Sequence, residues 1–557
     1  MNITAVCECG RHKDIKRRDG EAMNKWGRTV GLAAALLILF SSAARAEDAC
    51  NIAAPTAEGP VIGAAVPGMP VCAYKGIPYA APPVGNLRWQ APQPAPKRGD
   101  TLKALEYGPR CMQSGFLSAR NRKEEKPSSE DCLYLNIWKP NKGGKFPVMV
   151  WIHGGGLMNG AGSEGMYHGD RLATQKGVIL VTINYRLTIF GFLSLPELSR
   201  EDPNGSSGNY GMLDQIAAIK WVHDNIAAFG GDPENVTIFG ESAGGWSVCN
   251  LLASPLAAGL FQRGIIQSGG CDATKTVEEG YADGKLFLRK TRCSEKNTVA
   301  CLRALPPERL LQIAGGITST FTGQIKFIWL PKEDGRTLKE TPIEAIRNGR
   351  YNKVPIMVGT NLDEIKLMTM MTPGIRLMPR LADNWYVKKN FGKEALVAIK
   401  KYYPYKKYSR PTDAIIDALG DIGLVCKCWD GAEAAAAYGP PVYYYRFDYS
   451  AHRLPKMLAA GHSTEIPLVF GNLDRSLGKL IYSSAQAERA QKLVEAMMSY
   501  WTNFAKKGDP NGQGLMNWPR YDTASRQRMY FNLPMRIGPT DNIEKCEFWR
   551  SKNIKLK

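Results

Sequence analysis

The segment TIFGESAGGWSV, residues 237–248, holds the residue most suited to nucleophilic chemistry, Ser242. A short apolar run ends at Gly240, and a small-residue segment opens at Ala243. The bare G-x-S-x-G pattern fixes only three residues and is a weak signal alone. Its context is stronger, because VTIF reads as a strand and the residues after Ser242 read as a helix. A strand-to-helix turn lifts the serine side chain to the carboxyl end of a sheet, beside the unpaired N–H groups of a helix N-terminus.

A serine hydroxyl needs a base, and beyond residue 46 the chain offers His153, His168, His223, His452 and His462. His223 falls within an amphipathic helical pattern, and His168 lies in a glycine-rich loop. His153 stands before Gly154-Gly155-Gly156 at a strand end, where it would shape the loop. His452 and His462 follow a late strand, and Arg453 beside His452 disfavours an imidazolium there. Position therefore favours His462. An orienting carboxylate belongs at a strand end between Ser242 and His462. VPIMVGTNLDEI supplies Asp363 and Glu364, and the residues alone do not choose between them. The H-G-G-G stretch offers backbone donors for a developing oxyanion, so Gly155, Gly156 and Ala243 are the expected oxyanion hole. A phosphate loop would carry G-K-[ST], which is absent.

These residues require a scaffold of buried strands alternating with helices. FPVMVWIHGGG and GVILVTINYR are continuous apolar runs. MLDQIAAIKWVHDNIAAF, residues 212–229, has helical spacing, and FQRGIIQSG, residues 261–269, reads as the next strand. VPIMVGTN and PVYYYRFDY are strand-like, and residues 487–508 form a helix that stops at Gly508. Residues 60–75 suggest small antiparallel strands. The fold class is α/β: a mostly parallel sheet flanked by helices, with N-terminal antiparallel strands. No linker divides residues 47–557, which are expected to form one domain.

The first 46 residues read as a leader. Lys25 and Arg28 precede the apolar run of residues 30–40, and Ala44-Arg45-Ala46 is a cleavage pattern. Eleven apolar residues are too few to span a bilayer, so a secreted or periplasmic protein cleaved near Ala46 is expected, without a membrane span. The remaining chain carries 64 basic and 48 acidic residues. No nucleic-acid motif accompanies that charge, and an anionic substrate or surface fits it better. Residues 376–410 concentrate it, with ten Lys/Arg against Asp383 and Glu394. Eleven of the 13 cysteines lie beyond residue 46, so at least one is not in an internal disulfide. None has metal-ligand spacing with histidine, and no metal or other cofactor is expected.

The chain resembles the type-B carboxylesterase family over nearly its whole length beyond the leader. The resemblance rests on YKGIPYAAPPVGNLRW, EDCLYLNIW, VWIHGGG, NYRLTIFGFLS, FGGDPENVTIFGESAGG, GTNLDE, GHSTEIPLVFG and CEFW. It implies an α/β-hydrolase fold and a Ser-Glu-His triad in that chain order: Ser242, Glu364 and His462. Ile365 replaces the family's glycine after the acid. Glu241 and Ser268 match positions that help order the triad, and Arg88 and Glu130 match a structural ion pair. The resemblance also implies disulfides Cys111–Cys132, Cys293–Cys301 and Cys426–Cys546. Cys50 and Cys72 make a reasonable fourth pair. Cys249, Cys271 and Cys428 stay unassigned; on a strand, Cys428 would point the same way as Cys426.

The reaction so implied is hydrolysis of a small-molecule carboxylic ester through an acyl-enzyme, with no cofactor. A binding or adhesion protein of the same family is the rival from another class, although such proteins typically lack the nucleophile. A third reading changes the bond to an amide or lactone. Residues 112–131 lack the tryptophan that binds quaternary ammonium in cholinesterases, which argues against choline esters. The basic balance suggests an ester of a polycarboxylic acid.

Overall fold

The structure is a computed structural model that describes residues 50–113, 127–293, 297–318, 327–366 and 380–552. The leader and its cleavage site lie outside these residues, as does most of the 112–131 loop. Eleven strands form the main sheet. In chain order they are β1 (Ala64–Ala65), β2 (Val71–Pro78), β3 (Tyr134–Pro140), β4 (Phe146–Ile152), β5 (Ile179–Ile183) and β6 (Gly231–Glu241). There follow β7 (Arg263–Gln267), β8 (Ile356–Asn361), β9 (Val442–Phe447), β10 (Gln527–Phe531) and β11 (Arg536–Pro539). Their spatial order is β1-β2-β3-β5-β4-β6-β7-β8-β9-β10-β11. The run from β5 to β10 is parallel, while β1, β2, β3 and β11 pair antiparallel at the edges.

Side-chain alternation on the strands builds a core on each face. In β4, Val148, Val150 and Ile152 enter one core, while Met149 and Trp151 enter the other. The first core is covered by α1 (Tyr210–Asn225), α2 (Ala243–Ala253) and α3 (Cys426–Ala435). The second is covered by α4 (Ser484–Lys507), through Leu493, Val494, Met497, Trp501 and Phe504. Strands buried on both faces need apolar side chains at every position, which is why β4 and β5 read as unbroken apolar runs.

Several boundaries differ from the sequence reading for local reasons. The α4 helix starts earlier because Ser483 and Gln486 form a capping box, and Gly508 closes it in the left-handed conformation. Strand β6 begins at Gly231 rather than at VTIF, with a register shift before Val236. Cys426 and Cys428 lie on a helix, so residues two apart face opposite sides. Cys426 reaches Cys546, whereas Cys428 is buried as a free thiol. The other disulfides are Cys50–Cys72, Cys111–Cys132, Cys293–Cys301 and Cys249–Cys271, the last joining two cysteines the sequence left unassigned.

A buried ion pair secures the loop after β5. Arg186 Nε and Nη2 each donate to Asp214 on α1 at 2.7 Å, and Asp214 is fully buried. Asp214→Ala should cost about 3–5 kcal/mol, because it leaves a buried guanidinium without its partner. A lower urea midpoint at unchanged slope would show it, whereas an unchanged midpoint would contradict it.

Candidate active site

Strand order reverses between β4 and β6, since the chain passes from β4 to β5 on one side and then to β6 on the other. In open α/β sheets the crevice at such a reversal, at the carboxyl ends of the strands, is where ligands bind. His153 and the three glycines leave β4 at this point, and Ser242 follows β6 directly.

Ser242 sits at φ 58° and ψ −123°, a conformation that L residues avoid. Such strain costs about 1–3 kcal/mol and must be imposed by the surroundings. The Ser242 N–H donates to Gln267 O at 2.9 Å, and Ser242 O accepts from Trp246 N at 3.0 Å. The flanking glycines are required sterically. A Cβ on Gly240 would lie 2.5 Å from the Gly244 carbonyl carbon, and one on Gly244 would lie 2.0 Å from Ile152 O. The turn can therefore pack against the end of β4 only without side chains at both positions.

His462 Nδ1 lies 2.6 Å from Glu364 Oε2, with both residues buried. Glu364 Oε1 accepts the Asn361 N–H at 2.8 Å. Its neighbour Asp363 faces elsewhere, accepting from Ala460 N at 3.2 Å and pairing with Lys366. The loops carrying acid and base are joined by a bridge between Asp363 and Gly461, and by Asn361 Nδ2 donating to Gly461 O at 2.7 Å. Ile365 borders a cavity of about 300 Å³ with Asp417, Asp421 and Lys545.

His462 Nε2 lies 3.1 Å from Glu241 Oε1 but makes no hydrogen bond. Burial opposes the charged ring, but the Glu241 charge and the Glu364 hydrogen bond outweigh it and raise the pKa to about 9. Glu241 accepts from Ser463 Oγ at 2.7 Å. Behind it, Glu465 accepts from Gln267 Nε2 at 3.0 Å and Asn361 Nδ2 at 2.6 Å, and Gln267 Oε1 accepts from Trp501 Nε1 at 2.9 Å. Burial raises both carboxyl pKa values, with Glu465 pushed further by the Glu241 charge, to about 8. The sequence reading did not single out Glu465, Asn361, Gln267 or Trp501. The one available signal was the acidic residue inside the apolar run STEIPLVFG.

The structure places the remaining expected residues as follows. Ala243 opens α2, where its N–H has no intrahelical acceptor. Gly155 and Gly156 adopt φ 97° and 65°, and their N–H groups make none of the described loop hydrogen bonds. Ser268 is fully buried at φ 50°, and its hydroxyl has no hydrogen-bond partner. His153 stacks on Tyr185, with ring centroids 4.5 Å apart, and burial lowers its pKa to about 4. His168 contacts Tyr107 Oη at 2.8 Å, His223 pairs with Asp224, and His452 Nε2 contacts Ala459 O at 2.7 Å. Arg88 Nε donates to Glu130 at 2.6 Å. Among the described residues, no group of three or more His, Cys, Asp or Glu is placed to hold a metal ion. Among them, too, no helix is long and apolar enough to cross a membrane.

Residues 51–549 match the carboxylesterase family, and the chain belongs to it. It has the α/β-hydrolase fold and is a carboxylic ester hydrolase. It is 38% identical over 474 residues to the para-nitrobenzyl esterase of Bacillus subtilis (strain 168), covering 85% of this chain and 93% of that protein. It is also 38% identical over 462 residues to the fumonisin B1 esterase of Sphingopyxis macrogoltabida, covering 81% of each. A solved structure of a thermophilic PNB esterase superposes with a TM-score of 0.79 at 36% identity, covering 90% of this chain and 100% of that one.

Proposed function

We propose that the protein hydrolyses carboxylic esters through an acyl-enzyme on Ser242, with His462 as base and Glu364 as its orienting acid. The observation that carries this reading is the buried 2.6 Å contact between His462 and Glu364, with His462 Nε2 3.1 Å from Glu241, the residue that immediately precedes a serine held at positive φ. Ser242 Oγ attacks the ester carbonyl as His462 Nε2 takes its proton. The N–H groups of Gly155, Gly156 and Ala243 hold the resulting oxyanion. His462 then protonates the leaving alcohol, and the same ring activates the water that releases the acid. Hydrolysis of a panel of p-nitrophenyl and natural esters by the wild type and Ser242→Ala tests the reading. Equal rates in the two proteins would overturn it, and exclusive cleavage of amides or lactones would favour a different acyl bond.

The base acts when neutral, so a raised His462 pKa places the rising limb of the kcat/KM–pH profile on the alkaline side of an ordinary histidine. Glu241→Gln removes a negative charge beside Nε2 and should move that limb to lower pH. A limb that stays in place or moves up would contradict the role given to Glu241.

For the acyl part we propose an ester of a polycarboxylic acid. Support comes from the excess of basic residues and from exposed Lys388, Lys393, Lys400, Lys406 and Lys407 in the segment after the acid. Raising ionic strength from about 0.01 to 1 M shortens the Debye length from ~30 to ~3 Å. The kcat/KM for anionic esters should then fall relative to neutral ones, and an equal response of both would remove the proposal. The five disulfides support residence in an oxidising compartment.

A further inference from the structure

The glycine loop after β4 must hold two N–H groups in place with little side-chain mass of its own. Its ties are few. Leu157 O accepts from Thr188 N at 2.8 Å, and Gly162 is held by Asn184 Oδ1 and Thr182 Oγ1, each at 2.8 Å. The loop turns on Gly155 O, which accepts from Met158 N at 3.0 Å and Asn159 N at 3.1 Å. Gly160 follows this turn at φ 113°, and a Cβ there would lie 2.4 Å from His153 Nδ1.

Gly160 is gripped from outside the loop by one side chain, Gln113. Gln113 Nε2 donates to Gly160 O at 2.9 Å, and Gly160 N donates to Gln113 Oε1 at 3.0 Å. The second Nε2 hydrogen reaches Cys111 O at 3.0 Å, which fixes the amide orientation. Gln113 is 7% exposed, and it stands two residues after Cys111, whose disulfide to Cys132 anchors that segment. The buried amide thus pairs with the Gly160 peptide as one strand pairs with another, and both of its ends are satisfied.

We propose that Gln113 is a positioning residue for the oxyanion hole, an inference that rests on the roles given above to Gly155 and Gly156. It fixes the far side of the turn on Gly155, so its loss lets the two N–H groups drift from the place where charge develops. A displacement near 1 Å in such a site costs about 100-fold in rate.

The test compares the wild type, Gln113→Ala and Gln113→Glu with a neutral p-nitrophenyl ester and a trifluoromethyl ketone, which binds serine as an oxyanionic hemiketal. In Gln113→Ala, kcat should fall about 10–100-fold and ketone affinity by a similar factor, with KM little changed. If Gln113→Ala does not fold, Gln113→Glu carries the test, since it keeps the shape and the acceptor but loses both donors. A folded variant with wild-type kcat and ketone affinity would overturn the inference. Fluorophosphonate labelling separates the two levels. Failure to label wild-type Ser242 would sink the oxyanion-hole reading itself, whereas labelled wild type with an unimpaired Gln113→Ala would sink only the positioning role.

Discussion

Ser242→Ala is expected to lower kcat for p-nitrophenyl esters by about 10⁵–10⁶-fold, the scale on which removing the nucleophile of a serine triad acts. The residual rate would come from the oxyanion donors and from substrate binding, which the substitution leaves in place. Folding should survive. Alanine removes only a hydroxyl, and the contacts that impose φ 58° at this position are backbone bonds to Gln267 and Trp246 together with the absent side chains of Gly240 and Gly244. Alanine inherits the same strain of about 1–3 kcal/mol, so the melting temperature should change little. Substrate binding should persist, and an anionic or neutral ester should bind the variant without turnover. Near-wild-type turnover would mean that another group attacks the ester.

Glu364→Gln is expected to cost about 10⁴-fold in kcat, as the loss of the orienting carboxylate does in related constellations. The carboxylate accepts from His462 through Oε2 and from the Asn361 N–H through Oε1. A glutamine that keeps its oxygen on the Asn361 N–H turns its NH₂ toward Nδ1. The ring must then carry its proton on Nε2, the atom that should accept from the serine. The substitution also removes one of the charges that raise the His462 pKa. The rate should thus fall while the residual activity titrates at lower pH. Asp363→Asn is the control, since Asp363 pairs with Lys366 and Ala460 and does not touch His462. A loss as large in Asp363→Asn as in Glu364→Gln would reverse the assignment of the acid.

The parallel sheet was legible because β4, β5 and the second half of β6, from Val236, are buried and so leave short apolar runs in the sequence. Ser242 was legible because a strand, a tight turn and a helix meet at it. Position in the chain favoured His462 over His452, and the structure sets His462 against Glu364 and turns the His452 ring to the Ala459 carbonyl. Asp363 and Glu364 could not be separated by chemistry, since the choice depends on how the chain leaves β8. The carboxylate network behind His462 was not legible, because Glu465, Asn361, Gln267 and Trp501 meet only through contacts between distant strands and helices. Cys249 and Cys271 likewise meet through the packing of α2 against the residues that follow β7. The strand reading of Cys428 failed because two residues of spacing mean one face on a strand and opposite faces on a helix. Gln113 gave no signal, since a lone glutamine after a cysteine says nothing about Gly160, which lies 47 residues further on.

The most direct measurement is peptide mapping after reaction with a fluorophosphonate, with activity followed in parallel. The account predicts one adduct per chain, on the peptide that carries Ser242, with ester hydrolysis lost in proportion to labelling. It also predicts no adduct in Ser242→Ala. An active enzyme that resists the reagent, or an inactivating adduct on another residue, would contradict it.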